Sequence, residues 1–466
     1  MTKTTASAPV LSPRALNRAT LDRQLLLRRS GLSAKAAVGH LLGLQAQNVK
    51  PPYYALAARL DGFAPEELSE LMADREVVRI VTMRSTIHTH TAEDCLTLRP
   101  LVQPARDREL INFRKGLQGV DLDRLAVLAR ELVEAEPRTM KQLREALLAE
   151  WPDADPQALA IAARCKLPLV QVTPRGLWGR SGQVALTTAE HWLGRPAGPA
   201  SAGPAPAGPA PAGPASTGPA PAGPASAGPA PAGPAPAGPA PAGPAPAGPA
   251  PAGPAPAGPA STGPAPAGPA STGPASAGPA PAGPTPTGST STGPAPTEPT
   301  LDATVLRYLA AFGPASVKDM QTWAGLTRLR DAFERLRPRL RTFRDENGVE
   351  LFDLPDASRP AEDTPAPPRF LPEFDNLLLS HADRTRVVPK EYWGRSWQGN
   401  QAYCTLLVDG FLAGVWKLTG DTLVVQPFDR LTKAQQKDVT AEAQRMLATL
   451  HPGTPYDIRF GTVVGG

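Results

Sequence analysis

A chain of 466 residues carrying 58 prolines and 42 glycines is too long for one ordinary core and too rich in breakers to be folded throughout. Its 48 Lys and Arg against 43 Asp and Glu give a formal charge of +5, which permits nucleic-acid binding without requiring it, because placement on one face outweighs the total. No apolar run approaches the ~18 residues of a membrane span, and the N-terminus lacks a signal-peptide core. The widely separated Cys95, Cys165 and Cys404 indicate neither a disulfide framework nor a zinc knuckle. A cytoplasmic protein without membrane partners is expected.

In chain order, TLDRQLLLRRSGLSAKAAVGHLLGLQAQ predicts two short amphipathic helices parted at Ser30-Gly31, the second running towards Gln47. PPYYALAARLDGF predicts a helix begun by prolines and ended at Gly62, and PEELSELMAD predicts another. VVRIVTMRSTIHTHT, rich in β-branched residues, predicts two strands of a wing hairpin. Helices followed by a hairpin make a winged helix. The same order returns between Asp121 and His191, where three helical patterns precede LPLVQVTPRGLWGRSGQVALTT, two strands around a Gly-rich turn.

From Pro196 to Pro299 the chain repeats Gly-Pro-Ala-Pro-Ala with Ser and Thr variants. Glycine recurs every fifth residue where collagen needs every third, so the expectation is a solvated, partly polyproline-II linker. Roughly 360 residues remain to build cores. Lengthening a connection from ~10 to ~100 residues costs only about 2 kcal/mol in closure entropy, so the flanking pieces are expected to associate. After the tract, LDATVLRYLAAF, SVKDMQTWAGL and RLRDAFERLRPRL predict helices, and LRTFRD with VELFDL predict a hairpin around Asn347-Gly348. YCTLLVDGFLAGVWKL and DTLVVQPF predict strands, with a turn at Asp409-Gly410, and AQQKDVTAEAQRMLATL predicts a covering helix.

GLQAQ, RSTIH, FLPEFDNLLLSHADR and VDGFLAGVWK, in that order, resemble the AlkZ/YcaQ-type winged-helix DNA glycosylases. The resemblance implies an α+β chain of three tandem winged helices and a C-terminal β-barrel-like module, arranged as an open clamp on DNA. The domains would be a winged helix with the Gln-Ala-Gln motif over 1–118, a second over 119–195, a disordered linker over 196–299, a third winged helix over 300–360, and the β-rich module over 361–466. It further implies removal of N-alkylated purines, bulky adducts and crosslinks among them, and by family analogy a role in self-resistance to a DNA-alkylating natural product. A monomer with no cofactor and no metal is expected, nucleoid-associated when bound to DNA. The tract departs from the short connection the family has there.

In that family a Gln-apolar-Gln motif marks the active site, and Gln45-Ala46-Gln47 corresponds to it. Sugar hydrolysis ordinarily uses two carboxylates because a poor leaving group must be protonated while a nucleophile is activated. Alkylation at purine N7 makes the base cationic, so its bond to the sugar can break without a general acid. The protein then needs mainly to hold a water beside the oxocarbenium sugar, and an amide offers a carbonyl acceptor and two N–H donors for that. In a regular helix the two side chains would point roughly 200° apart, so the expectation requires the helix to end near Gln47. The alternative is a pair of ordinary surface or capping residues in a non-catalytic DNA-binding protein.

His88 and His90 alternate on a predicted strand, and His88 fits the family's Thr-apolar-His segment. Contact with DNA, structural hydrogen bonding and metal ligation all remain open for them, though no third ligand stands at a familiar spacing. Arg84 reads as a phosphate anchor or a salt-bridge residue. Arg328, Arg330, Arg335 and Arg337 lie in the third recognition helix, either on the DNA backbone or on a solvated basic face. A second run of six cations lies between Arg14 and Lys35. Asp375, His381, Asp383 and Arg384 suggest a polar network supporting the clamp rather than chemistry.

Overall fold

The computed structural model describes residues 8–194, 298–398 and 401–463. The linker expected over 196–299 therefore lies outside the described residues, except Glu298 and Pro299, which open a helix. The described residues on both sides form one compact unit.

Strand β1 (Val10–Leu11) and helix α1 (Pro13–Arg23) come first, the Ser12 hydroxyl accepting from Ala15 N to cap α1. A repeat follows: α2 (Ala34–His40), β2 (Leu44–Gln45), α3 (Pro51–Arg59), α4 (Pro65–Ala73), β3 (Val77–Val81) and β4 (Ile87–Thr91). After α5 (Ala92–Leu101) and α6 (Gln103–Leu110), the order recurs as α7 (Leu122–Ala135), β5 (Arg138–Thr139), α8 (Met140–Glu150), α9 (Pro156–Lys166), β6 (Leu169–Gln171) and β7 (Ala185–Thr188), closed by α10 (Ala189–Leu193). Beyond the tract, α11 (Glu298–Phe312), α12 (Val317–Ala324), α13 (Arg330–Leu336), β8 (Arg341–Asp345) and β9 (Glu350–Asp353) repeat it again, with a bridge from Ala315 to Phe352 in place of the first strand. The rest is β10 (Arg369–Leu371), β11 (Trp397–Gln398), β12 (Gln401–Ala402), β13 (Cys404–Val408), β14 (Phe411–Thr419), β15 (Thr422–Pro427), α14 (Lys433–Leu450) and β16 (Asp457–Phe460).

Two sequence expectations change. The first two hairpins are not separate wings, because β3 pairs with β6 and joins them in one six-stranded sheet, β2-β4-β3-β6-β7-β5. The C-terminal module is an open five-stranded sheet, β10-β13-β14-β15-β16, and not a barrel. The reason is packing: Phe370, Leu406, Trp416, Leu423 and Val425 of that sheet share one core with α2, α3, α4 and α14. The surface a barrel would enclose is thus covered by helices from both ends of the chain.

A second core, built by α11, α12 and α13, takes in Leu42, Met83 and Leu98 from before the tract. β1 pairs in parallel with β8, across the same divide. Ion pairs add further joints: Arg59 with Asp375 at 2.7 Å and Arg23 with Asp353 at 2.6 Å are buried, Arg29 meets Glu442, and Arg18 and Arg14 meet the half-exposed Asp409. The basic run from Arg14 to Lys35 is therefore largely an internal set of staples, because its partners are carboxylates brought from the far side of the tract.

Candidate functional site

Helix α2 stops at His40, well short of Gln47. Leu42 and Gly43 are left-handed, at φ 55° and 91°, and a Cβ on Gly43 would stand 2.3 Å from the buried His90 ring. The chain leaves that turn as a strand, Gln45 lying opposite His88 in the antiparallel pair of β2 and β4. Ala46 N donates to Ile87 O at 2.7 Å, which carries the pairing one residue further. The helix expected to end near Gln47 therefore ends before the motif: Gln45 is the last residue of β2, and Gln47 lies in the bend that follows.

Gln45 is buried and Gln47 exposed. Gln45 Oε1 accepts from an Arg84 Nη at 2.8 Å, and Gln47 Oε1 accepts from Ile87 N at 2.9 Å. Each carbonyl keeps a second lone pair, and among the described residues neither amide NH2 has a partner. Two arginines hold this segment. Arg79, buried in β3, donates to Ala46 O at 2.8 Å and to Asn48 O at 3.4 Å, and to Gln171 Oε1 at 3.1 Å. Burial, then the nearby Arg175, lowers its guanidinium to about 10, so it stays charged at neutral pH. Sequence reasoning missed Arg79, although a lone arginine inside the apolar run VVRIV is the signal that could have found it.

Arg84 is half-buried in a turn where it and Ser85 are both left-handed, at φ 53° and 60°. Non-glycine residues pay on the order of 1–3 kcal/mol each for such backbone, and it persists only where the surroundings impose it. The surroundings here are Gly325 at the C-terminus of α12: a Cβ on Gly325 would meet Arg84 N at 3.1 Å. The Arg84 guanidinium also donates to Trp323 O and, at 3.4 Å, to His88 Nε2. Burial first, then Arg384, lowers Arg84 to about 10. The Arg384 side chain has no hydrogen-bond or ion-pair partner among the described residues.

Both histidines are buried. His88 and His90 are 1% and 0% exposed, and their rings stack with centroids 5.6 Å apart. His88 Nδ1 donates to Thr86 O at 3.0 Å, which leaves Nε2 as the acceptor for Arg84. Burial, then Arg84, holds His88 well below its usual value, and burial takes His90 down to about 4. Of the roles left open for them, the contacts among the described residues favour structural hydrogen bonding, with His90 Nε2 also 2.9 Å from Thr82 Oγ1. Among the described residues no group of three or more His, Cys, Asp or Glu side chains is placed to hold a metal ion.

Buried neutral histidines tie stability to pH. An unfolded histidine takes a proton near 6.5, whereas folded His90 takes one only near 4 and His381 is likewise lowered, chiefly by burial. Stability from these groups is complete above about pH 6.5 and falls as pH drops from there towards 4. Urea midpoints at pH 7.5 and 5.5 should differ, and substituting His90 with Asn should shrink the difference; equal midpoints in the parent chain would contradict this account.

Of the four arginines expected on DNA, Arg335 pairs with Asp302 at 2.7 Å, and Arg337 with Glu334 at 2.6 Å and Glu350 at 2.9 Å. Those carboxylates neutralise them on the protein itself. Arg330 is exposed, with Glu334 3.7 Å away, and Arg328 is exposed. Asp375 lies buried against Arg59, and His381 Nε2 donates to Phe312 O at 2.9 Å. Asp383, exposed, accepts from Thr385 N.

The DNA glycosylase AlkZ-like family matches residues 38–227 and 255–449, which is most of the chain. The chain belongs to that family. An interstrand DNA cross-link repair glycosylase of Streptomyces sahachiroi is 28% identical over 155 residues, covering 30% of this chain and 40% of that relative. The solved structure of Streptomyces sahachiroi DNA glycosylase AlkZ superimposes with a TM-score of 0.63, at 17% identity, over 97% of this chain and 100% of the other. At that identity the likeness is one of fold.

Proposed function

We propose that this chain is a monofunctional glycosylase that hydrolyses the N-glycosidic bond of cationic N-alkylated purines in duplex DNA, N7-alkylguanine first, with Gln45 and Gln47 holding the attacking water. The observation that carries the reading is the Gln-Ala-Gln segment at the end of β2, its backbone gripped by Arg79 and its first amide by Arg84. Two amide carbonyls two residues apart, each with a lone pair left over, suit a water whose protons must point away from the sugar carbon. His88, the nearest titratable ring, is neutral and already engaged. Glu373, the carboxylate beside the segment, accepts from Asn48 Nδ2 at 2.8 Å, and a reaction that uses no general acid should proceed only where alkylation has made the base a good leaving group.

The three helix-strand-helix-helix-hairpin repeats support reading them as winged helices, with the boundaries given above, acting as a monomer without a cofactor. Arg328 and Arg330 are exposed cations of the third repeat, and neutralising both should reduce the slope of log K against log salt by about 2. An unchanged slope would remove them from the DNA surface. The name of the Streptomyces sahachiroi relative puts interstrand crosslinks among the substrates to test, and self-protection against an alkylating natural product remains the proposed setting.

The second reading, DNA binding without catalysis, is favoured by one observation: Gln47 Oε1 completes a backbone hydrogen bond, as a structural residue would. Incubation with duplexes carrying N7-methylguanine, N3-methyladenine, a bulky N7 adduct or an N7 crosslink, in chelator, separates the two. Free base released from the cationic substrates and not from unmodified purines supports the glycosylase. Tight binding with no release from any of them supports the alternative.

A further inference from the structure

We propose that Arg84 is a positioning residue, acting on base excision through the Gln45 amide instead of through a DNA phosphate. The inference rests on the glycosylase reading with Gln45 in the site. A phosphate anchor presents a free guanidinium fork to solvent, whereas this one is turned inward onto three acceptors: Gln45 Oε1 at 2.8 Å, the Trp323 carbonyl, and His88 Nε2 at 3.4 Å. His88 can accept only because its other nitrogen donates to Thr86 O.

The turn that carries Arg84 is set by the third repeat. Met83 enters the core of α11, α12 and α13, together with Leu42 from the turn just before Gln45. Gly325 packs against the Arg84 backbone, and its missing Cβ is what allows that approach. The left-handed conformation at Arg84 and Ser85 then aims the side chain back over β2. The first repeat supplies the amide, and the third fixes the arginine that orients it. Without this donor the Gln45 amide is free to rotate and exchange its oxygen for its NH2, so the lone pair offered to water is no longer fixed.

The test compares single-turnover release of N7-methylguanine with affinity for the same duplex, in the full chain. Arg84→Ala should slow release roughly 10–100-fold while DNA affinity changes less than about threefold. Arg84→Lys keeps one donor but not the fork, and should recover part of the rate. The double variant Arg84→Ala/Gln45→Ala should be no slower than Gln45→Ala alone, because both act through one group. Equal losses from Arg84→Ala with and without Gln45 would overturn the proposal. So would weakened binding with the rate on bound DNA unchanged, which is the mark of a phosphate anchor. Full activity in Gln45→Ala would instead remove the site reading on which the proposal rests. Should Arg84→Ala not fold, Arg84→Lys decides alone, with a lowered rate at unchanged affinity supporting the role and full activity refuting it.

Discussion

Alanine at Gln47 or Gln45 is expected to slow release of N7-methylguanine from duplex DNA by about 10²–10³-fold, the usual loss when one preorganised polar group is removed from a transition state. Gln47→Ala is the cleaner experiment. Its side chain is exposed and makes a single backbone contact, so the fold should survive and DNA affinity should hold. Gln45→Ala also frees Arg84, and part of its loss will come from that release. The measurement is free base per bound duplex in one turnover, with unmodified DNA as the control. Undiminished release by both variants would take the two glutamines out of the chemistry.

Asp375→Ala is expected to destabilise the chain by about 3–5 kcal/mol, because it strands the Arg59 guanidinium without its counter-charge where water cannot reach. Both side chains are fully buried, joined by two hydrogen bonds of 2.7 and 2.8 Å, and Asp375 also accepts from Leu377 N. Arg59 ends α3, the helix that begins directly after the Gln-Ala-Gln segment, so the pair ties that segment's support to the piece of chain beyond the tract. A lowered urea midpoint with an unchanged slope is the expected signature. Asp375→Asn, which keeps an acceptor but not the charge, should cost less than Asp375→Ala; equal costs would mean that the retained acceptor contributes nothing.

Much of the architecture was legible from local chemistry. Pro51-Pro52 and Pro65 mark real helix starts, Asn347-Gly348 and Asp409-Gly410 mark real turns, and the amphipathic run after Thr432 is α14 with a reciprocal cap between Thr432 and Gln435. These features depend on neighbours a few residues away, so one sequence suffices to see them. The Gln-Ala-Gln motif was legible as well, and so was the family.

What the motif sits on was not. A run of leucines and alanines up to Gln47 reads as helix, and only the left-handed turn at Leu42-Gly43 and the pairing with β4 make Leu44 and Gln45 a strand. The partners of the arginines were illegible for a related reason. An arginine's role depends on whether a carboxylate or carbonyl waits for it, and for Arg18, Arg23 and Arg59 that partner arrives from across the proline-rich tract. His88 and His90 have the period of a surface-facing strand, yet packing encloses both. By itself the sequence determined the elements, their order and the motif, because those rest on local backbone preference and hydrophobic period. Only the tertiary structure decided which polar side chains face water and which face each other, because burial and charge pairing are set by residues far apart along the chain.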